Sequence, residues 1–151
     1  MINFSFMEQD LMDRKSILLV DDHVDSLELL AFMLNEAYNV LAYAAAEEAV
    51  RGVEKFKPDL LVLDARMYPM DGVQCLKAIR ARPKYTAIPA IALTALARDV
   101  DKAALLSAGF QDVVTKPILD AARLRRIIDG LLESFSSIQD PTSLHQKIPA
   151  A

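Results

Sequence analysis

The chain has no tryptophan, one cysteine and four glycines in 151 residues. The lone thiol, Cys75, excludes an internal disulfide and reads as a small core residue of a reducing compartment. No GxxxxGK(S/T) run occurs, which argues against a P-loop ATPase or GTPase. No GxGxxG follows the first apolar run, so dinucleotide binding is equally disfavoured. No apolar stretch reaches the ~18 residues of a membrane-spanning helix. Basic residues number 17 against 21 acidic ones, a formal charge of -4, which leaves no broad basic face for non-specific nucleic-acid binding. Residues 1–15 carry acidic side chains without a clear apolar core and do not read as a signal peptide. A cytoplasmic location, with no membrane partner, is the resulting expectation. At 53% hydrophobic, the chain has enough apolar residues for one domain's core.

What is present is a set of short apolar runs that end abruptly on polar groups. Leu60-Leu61-Val62-Leu63 is framed by Asp59 and Asp64 and reads as a strand buried on both faces. Ile17-Leu18-Leu19-Val20 ends on Asp21-Asp22, Ile91-Ala92-Leu93 on Thr94, and Val113-Val114-Thr115 on Lys116-Pro117. Open α/β sheets place their chemistry at the C-terminal ends of the strands. Three carboxylates, a hydroxyl and an amine are therefore expected in one pocket.

Strands are expected over residues 16–20, 40–42, 60–64, 88–93 and 110–115. Helices are expected from Asp25 or Ser26 to about 36, then over 44–56, 72–80 and 99–108, and from Asp120 through about 135. In the first helix Leu27, Leu30, Ala31 and Leu34 form a stripe, widened by Leu29, Phe32 and Met33. Asp71 and Asp120 are cap candidates, and Gly109 closes the fourth helix. Each crossover is long enough to carry a helix between parallel strands. The fold class is α/β: a doubly wound five-stranded parallel sheet flanked by five helices. The domain spans 16–135, with an N-terminal extension over 1–15 and a flexible tail or linker stub over 136–151.

Asp21, Asp22 and Asp64 would repel one another unless a hard dication neutralised them. An oxygen-only set suits Mg2+ or Mn2+ and not zinc, since Cys75 and two histidines make no ligand cluster. A carboxylate can attack phosphorus to give an aspartyl phosphate. Asp64 is the expected nucleophile because it ends the most apolar strand. Lys116 supplies a mobile positive charge and Thr94 a hydroxyl donor; Thr94 also reads as a helix cap. His23 reads as a loop residue.

The ordered set of Asp21-Asp22, Asp64, Met70-Asp71-Gly72, Thr94 and Lys116-Pro117, at these intervals over residues 15–135, resembles the receiver domains of bacterial two-component response regulators. The resemblance implies a flavodoxin-like strand order of 2-1-3-4-5. It implies that Asp64 takes a phosphoryl group from a histidine kinase or phosphotransfer protein. Mg2+ would be held by Asp22, Asp64 and the Arg66 carbonyl, with Asp21 acting largely through water. Thr94, Lys116 and the Ala95 N–H would contact phosphoryl oxygens. The output would pass to a downstream protein or to an output domain beyond this sequence, without direct nucleic-acid contact. Ile127, Ile128, Leu131 and Leu132 make an apolar face broad enough for a homodimer, although a core role explains most of it.

The chain departs from the family pattern in three places. Pro69 stands one place later than usual, so its restraint falls on Tyr68. Val113 occupies the switch position where an aromatic ring is usual. Ala37-Tyr38 replaces a Gly-aromatic turn. A degenerate receiver acting as a phosphorylation-independent scaffold is the alternative reading. A Mg2+-dependent phosphatase is disfavoured because Arg66 stands where a catalytic acid would be needed.

Overall fold

A computed structural model describes residues 13–139. Five strands, β1 (Ser16–Val20), β2 (Asn39–Tyr43), β3 (Leu60–Asp64), β4 (Ala90–Thr94) and β5 (Asp112–Thr115), alternate with five helices. These are α1 (Val24–Leu34), α2 (Ala46–Phe56), α3 (Gly72–Arg80), α4 (Asp99–Ser107) and α5 (Ala121–Gln139), with a 3-10 turn at Pro83–Tyr85. All strand pairs are parallel and the order is β2-β1-β3-β4-β5, as expected.

The continuous apolar runs make physical sense in this topology. Every residue of β3 and β4 is buried, because helices cover both faces. Successive side chains alternate between two cores. Leu18, Val20, Leu61, Leu63 and Ala92 pack with Ala49 and Val53 of α2 and Leu76 and Ile79 of α3. Ile17, Leu19, Leu60, Val62 and Leu93 pack with Leu27, Leu30 and Leu34 of α1 and Leu124, Ile128 and Leu132 of α5. Ile127 and Leu131 join that second core as partly buried residues, so the broad apolar face of α5 is mainly core.

The stripe on α1 is narrower than the sequence suggests. Leu29 is 58% exposed and Phe32 72% exposed, so neither widens the buried face. Leu27, Leu30 and Leu34 are the buried residues of the helix, and of the expected widening residues only Met33 packs against their core. The start of α1 also differs. His23 is its N-cap, with Nδ1 accepting from the Ser26 N–H at 3.3 Å. The expected caps at Asp71, Asp120 and Gly109 hold. Asp71 and Gln74 form a reciprocal capping box on α3, Asp120 Oδ1 accepts from the Ala122 N–H at 3.0 Å, and Gly109 takes φ +116° after α4. The turn after α1 needs no left-handed residue, since its C-cap Asn35 stays helical at φ -63°. The replacement of a Gly-aromatic turn by Ala37-Tyr38 is therefore accommodated without a left-handed cap. The helix α5 continues to Gln139, past the boundary expected near Phe135. The expected extension and tail lie mostly in 1–12 and 140–151, outside the described residues.

Tyr38 shows what ties α1 and β2 to α5. It is buried, and its hydroxyl donates to Asp129 Oδ1 at 2.7 Å, with the Arg125 carbonyl 3.3 Å away. Burial, reinforced by the Asp129 carboxylate, raises the phenol well above its ordinary range. Tyr38→Phe removes this bond, leaving the exposed Asp129 carboxylate to water, and should lower the unfolding free energy by about 1 kcal/mol. Urea unfolding with an unchanged m-value would show it; a loss near zero would mean that water replaces the bond without cost.

Candidate functional site

The site is built by strand ends. Asp21 follows β1, Asp64 closes β3, Thr94 closes β4 and Lys116 follows β5. These four strands are neighbours, and the pairings Val20↔Leu63, Asp64↔Leu93 and Thr94↔Thr115 align their C-terminal ends. Residues separated by up to 95 positions thus meet at one edge.

Asp21 is fully buried. Its Oδ1 accepts from the His23 N–H at 2.9 Å and its Oδ2 from Lys116 Nζ at 2.8 Å. Asp64 is 6% exposed, accepts from the Arg66 N–H at 3.2 Å through Oδ1, and places Oδ2 3.6 Å from Lys116 Nζ. Asp22 is exposed at the rim. One carboxylate oxygen from each of Asp21, Asp22 and Asp64 lies within 4.8 Å of the others, the only such group of three among the described residues.

The electrostatics follow from that geometry. Burial, then the Asp21 charge, pushes Asp64 up to about 6, against the opposing pull of Lys116. For Lys116, burial alone would lower the pKa; the hydrogen bond to Asp21 and the fields of Asp21 and Asp64 outweigh it and raise it. Three carboxylates face one ammonium, so the cluster keeps a deficit of two positive charges. The donors are all oxygen. Both facts fit a hard dication such as Mg2+.

In metal-free protein this repulsion has a measurable consequence. The native pKa of Asp64 is raised, so the folded state holds the proton more tightly than the unfolded chain does. Stability therefore falls as pH rises from the ordinary carboxylate value through about 6, and the full cost stands above that. Asp64→Asn is expected to stabilise the metal-free fold by about 2 kcal/mol at pH ~7.5 and by much less at pH ~4.5. Unfolding curves in EDTA at the two pH values measure it, and equal gains at both would contradict the electrostatic origin.

Thr94 is 3% exposed, and its Oγ1 accepts from the Leu96 N–H at 3.1 Å. It does not cap α4, which begins at Asp99 with Arg98 in the cap position. Ala95 is exposed just beyond it, and the Arg66 side chain is exposed as well. Val113 sits opposite Ala92 in β5, half-buried against the α2–α3 core. Tyr68 is 90% exposed, and the Tyr68–Pro69 and Lys116–Pro117 peptides are both cis.

Sequence reasoning missed two supports. Gly72 opens α3 directly against β3, where an added Cβ would fall on the Asp64 carbonyl oxygen and 3.0 Å from Ala65 Cα. The Met70-Asp71-Gly72 run was visible, but its contact with Asp64 is tertiary. The second is His23, whose N–H orients Asp21 and whose ring caps α1.

Residues 17–129 match the response regulator receiver domain model. The chain belongs to this family. It is 43% identical over 120 residues to an uncharacterised 14.6 kDa protein of Leptolyngbya boryana, covering 79% of this chain and 91% of that protein. It is 39% identical over 128 residues to the transcriptional regulatory protein YvrH of Bacillus subtilis, covering 83% of this chain and 53% of YvrH. Among solved structures, the receiver domain of sensor histidine kinase PA1611 from Pseudomonas aeruginosa PAO1 is 33% identical, with a TM-score of 0.72. That match covers 80% of this chain and 98% of the other, whose structure has a magnesium ion coordinated in its active-site cleft. This receiver is thus a module of two-component signalling, homologous to phosphorylatable receivers, and these generally interact with a histidine kinase or phosphotransfer protein. No helix among its described residues is long and apolar enough to cross a membrane.

Proposed function

We propose that Asp64 is the phospho-acceptor of this receiver. A carboxylate oxygen of Asp64 forms a bond to phosphorus while the donor's N–P bond breaks, and the donor imidazole keeps the electron pair. Asp21, Asp22, Asp64 and the Arg66 carbonyl would hold Mg2+. When bound, the ion supplies positive charge to the carboxylates and polarises phosphoryl oxygens. The observation that carries this reading is the convergence of Asp64 with Asp21, Asp22 and Lys116.

Each surrounding group has a task that its geometry permits. Lys116 bridges Asp21 and Asp64, so its ammonium is within reach of an oxygen on a phosphorylated Asp64. Thr94 already accepts from Leu96 through Oγ1, which leaves its hydroxyl proton free to donate to a phosphoryl oxygen. The Ala95 N–H is the third donor. The new contacts exist only in the phosphorylated state and so shift the population of the α4–β5–α5 face. Val113 cannot swing a ring between two sites, so the response would travel through Thr94 and the start of α4.

The receiver unit would span the expected 16–135 together with the rest of α5 to Gln139, act in the cytoplasm, and pass its output to a protein partner or to a linked domain. The test is intact mass after incubation with a small phosphodonor. A gain of one phosphoryl group that requires Mg2+ and disappears in Asp64→Asn is expected. Absence of any gain in folded, Mg2+-loaded protein would remove this reading.

A further inference from the structure

A concavity lies away from the acidic cluster. A cavity of about 460 Å³ lies at the opposite, N-terminal end of the sheet, where the chain enters β1, β3 and β4. Such a volume accommodates a small organic ligand. Among the described residues, Lys15, Lys57 and Lys84 line it, with Asp59 as the only carboxylate. Asp59 is already engaged, since its Oδ2 accepts from the Ser16 N–H at 2.7 Å and ties β3 to β1. Asp129 and Glu133 line only the adjoining hollow, which shares Lys15, Leu132 and Ser136 with this cavity. A chain of net charge -4 thus lines one cavity with three lysine residues.

Lys57 adds a second observation. It ends α2 at φ 57° and ψ 63°, the left-handed conformation that glycine enters without strain. It is the only non-glycine residue with positive φ among the described residues. Helix termination alone would be served better by glycine; only the side chain distinguishes the lysine. Phe135 is the half-buried aromatic residue of the lining, beside the buried Tyr85 and Leu132, and Lys84 Nζ stands 5.8 Å from the centre of the Tyr85 ring.

We propose that this cavity is a second ligand site, separate from the phosphorylation centre, for an organic phosphate. Its anionic head would lie among the three lysines and its apolar or aromatic body against Tyr85, Leu132 and Phe135. Lysine ammonium groups act as point charges suited to tetrahedral phosphate oxygens, whereas a planar carboxylate is better matched by the arginine fork. The apolar wall asks for a body that inorganic phosphate lacks.

The test titrates the full chain in EDTA with ADP, octyl phosphate and inorganic pyrophosphate, following backbone amide resonances. EDTA prevents any metal-bridged binding at the acidic cluster. Saturable shifts at Lys57, Lys84 and Thr86 with ADP or octyl phosphate, without shifts at Asp64, are expected. An ADP response assigns a nucleotide, and an octyl phosphate response a lipid-like phosphate. The double substitution Lys57→Gly with Lys84→Ser should weaken binding about tenfold while holding or raising the melting temperature. The proposal is overturned by no response to either organic phosphate, by pyrophosphate binding as well as both, by shifts centred on Asp64, or by a double variant that keeps its melting temperature and binds like the wild type.

Discussion

Gly72→Ala is expected to lower the unfolding free energy by about 3 kcal/mol and to weaken Mg2+ binding at the same time. The first turn of α3 approaches the end of β3 so closely that any side chain at 72 meets backbone. A Cβ there would fall on the Asp64 carbonyl oxygen, 3.0 Å from Ala65 Cα and 3.1 Å from Asp64 C. Backbone cannot rotate away as a flexible side chain can. The Gly72 N–H also donates to the Ala65 carbonyl at 3.1 Å, which pins helix to loop. Relief therefore requires α3 and the segment carrying Asp64 to separate, and Asp64 moves relative to Asp21 and Asp22. Gly130→Ala is the control. Nothing lies within 4 Å of its Cβ position in the interior of α5, so alanine should stabilise the fold by about 1 kcal/mol. Urea unfolding and calorimetric Mg2+ titration of the two variants measure both effects. A Gly72→Ala protein as stable as the wild type, with unchanged Mg2+ affinity, would show that the loop gives way freely.

Arg80→Met is expected to cost about 3 kcal/mol without affecting phosphoryl chemistry at the other end of the sheet. The guanidinium is half-buried and fastens three segments. Its Nη2 donates to the Ile88 carbonyl at 2.8 Å and to Gln111 Oε1 at 3.0 Å, and its Nη1 to the Gly109 carbonyl at 2.8 Å. Gln111 Oε1 accepts in turn from the Ala90 N–H at 2.7 Å. The end of α3, the entry to β4 and the entry to β5 are thereby held together. Burial lowers the Arg80 pKa, yet an arginine stays charged, so the side chain cannot escape that cost by neutralising. Methionine would fill the apolar path but leave two carbonyls without their donor. Arg80→Lys should recover only part of the loss, because one ammonium cannot span the three acceptors. Urea unfolding of the three proteins, with phosphorylation by a small donor as the control, tests the assignment. Full rescue by lysine would show that charge alone matters.

The candidate site was largely legible because its residues terminate apolar runs. A run of four apolar residues ending on Asp64 announces both a buried strand and the group at its tip. The same holds for Asp21, Thr94 and Lys116. Parallel pairing then brings strand tips together, so position along the chain became position in the pocket. The caps Asp71 and Asp120 were legible for a related reason: capping is local, and the partner lies two or three residues away.

Other features needed contacts from distant parts of the chain. Leu29 and Phe32 are as apolar as Leu27 and Leu30, and no local rule tells which side of a helix has its share of sheet already filled. Arg80 and Gln111, 31 positions apart, meet only through folding. Gly72 was visible as a motif member, but its reason lies in the backbone of β3.

By itself, the sequence determined the alternation of strands and helices, the parallel sheet, and the polar groups at four strand tips. Periodicity and chain connectivity are local properties, and they survive without knowledge of the neighbours. Tertiary structure alone decided that Lys116 bonds Asp21 more closely than Asp64, at 2.8 against 3.6 Å, and that burial with Asp21 drives the Asp64 carboxyl upward. Those outcomes depend on distances of a few ångströms across the sheet and on the exclusion of water, and neither is encoded in the spacing of residues along the chain.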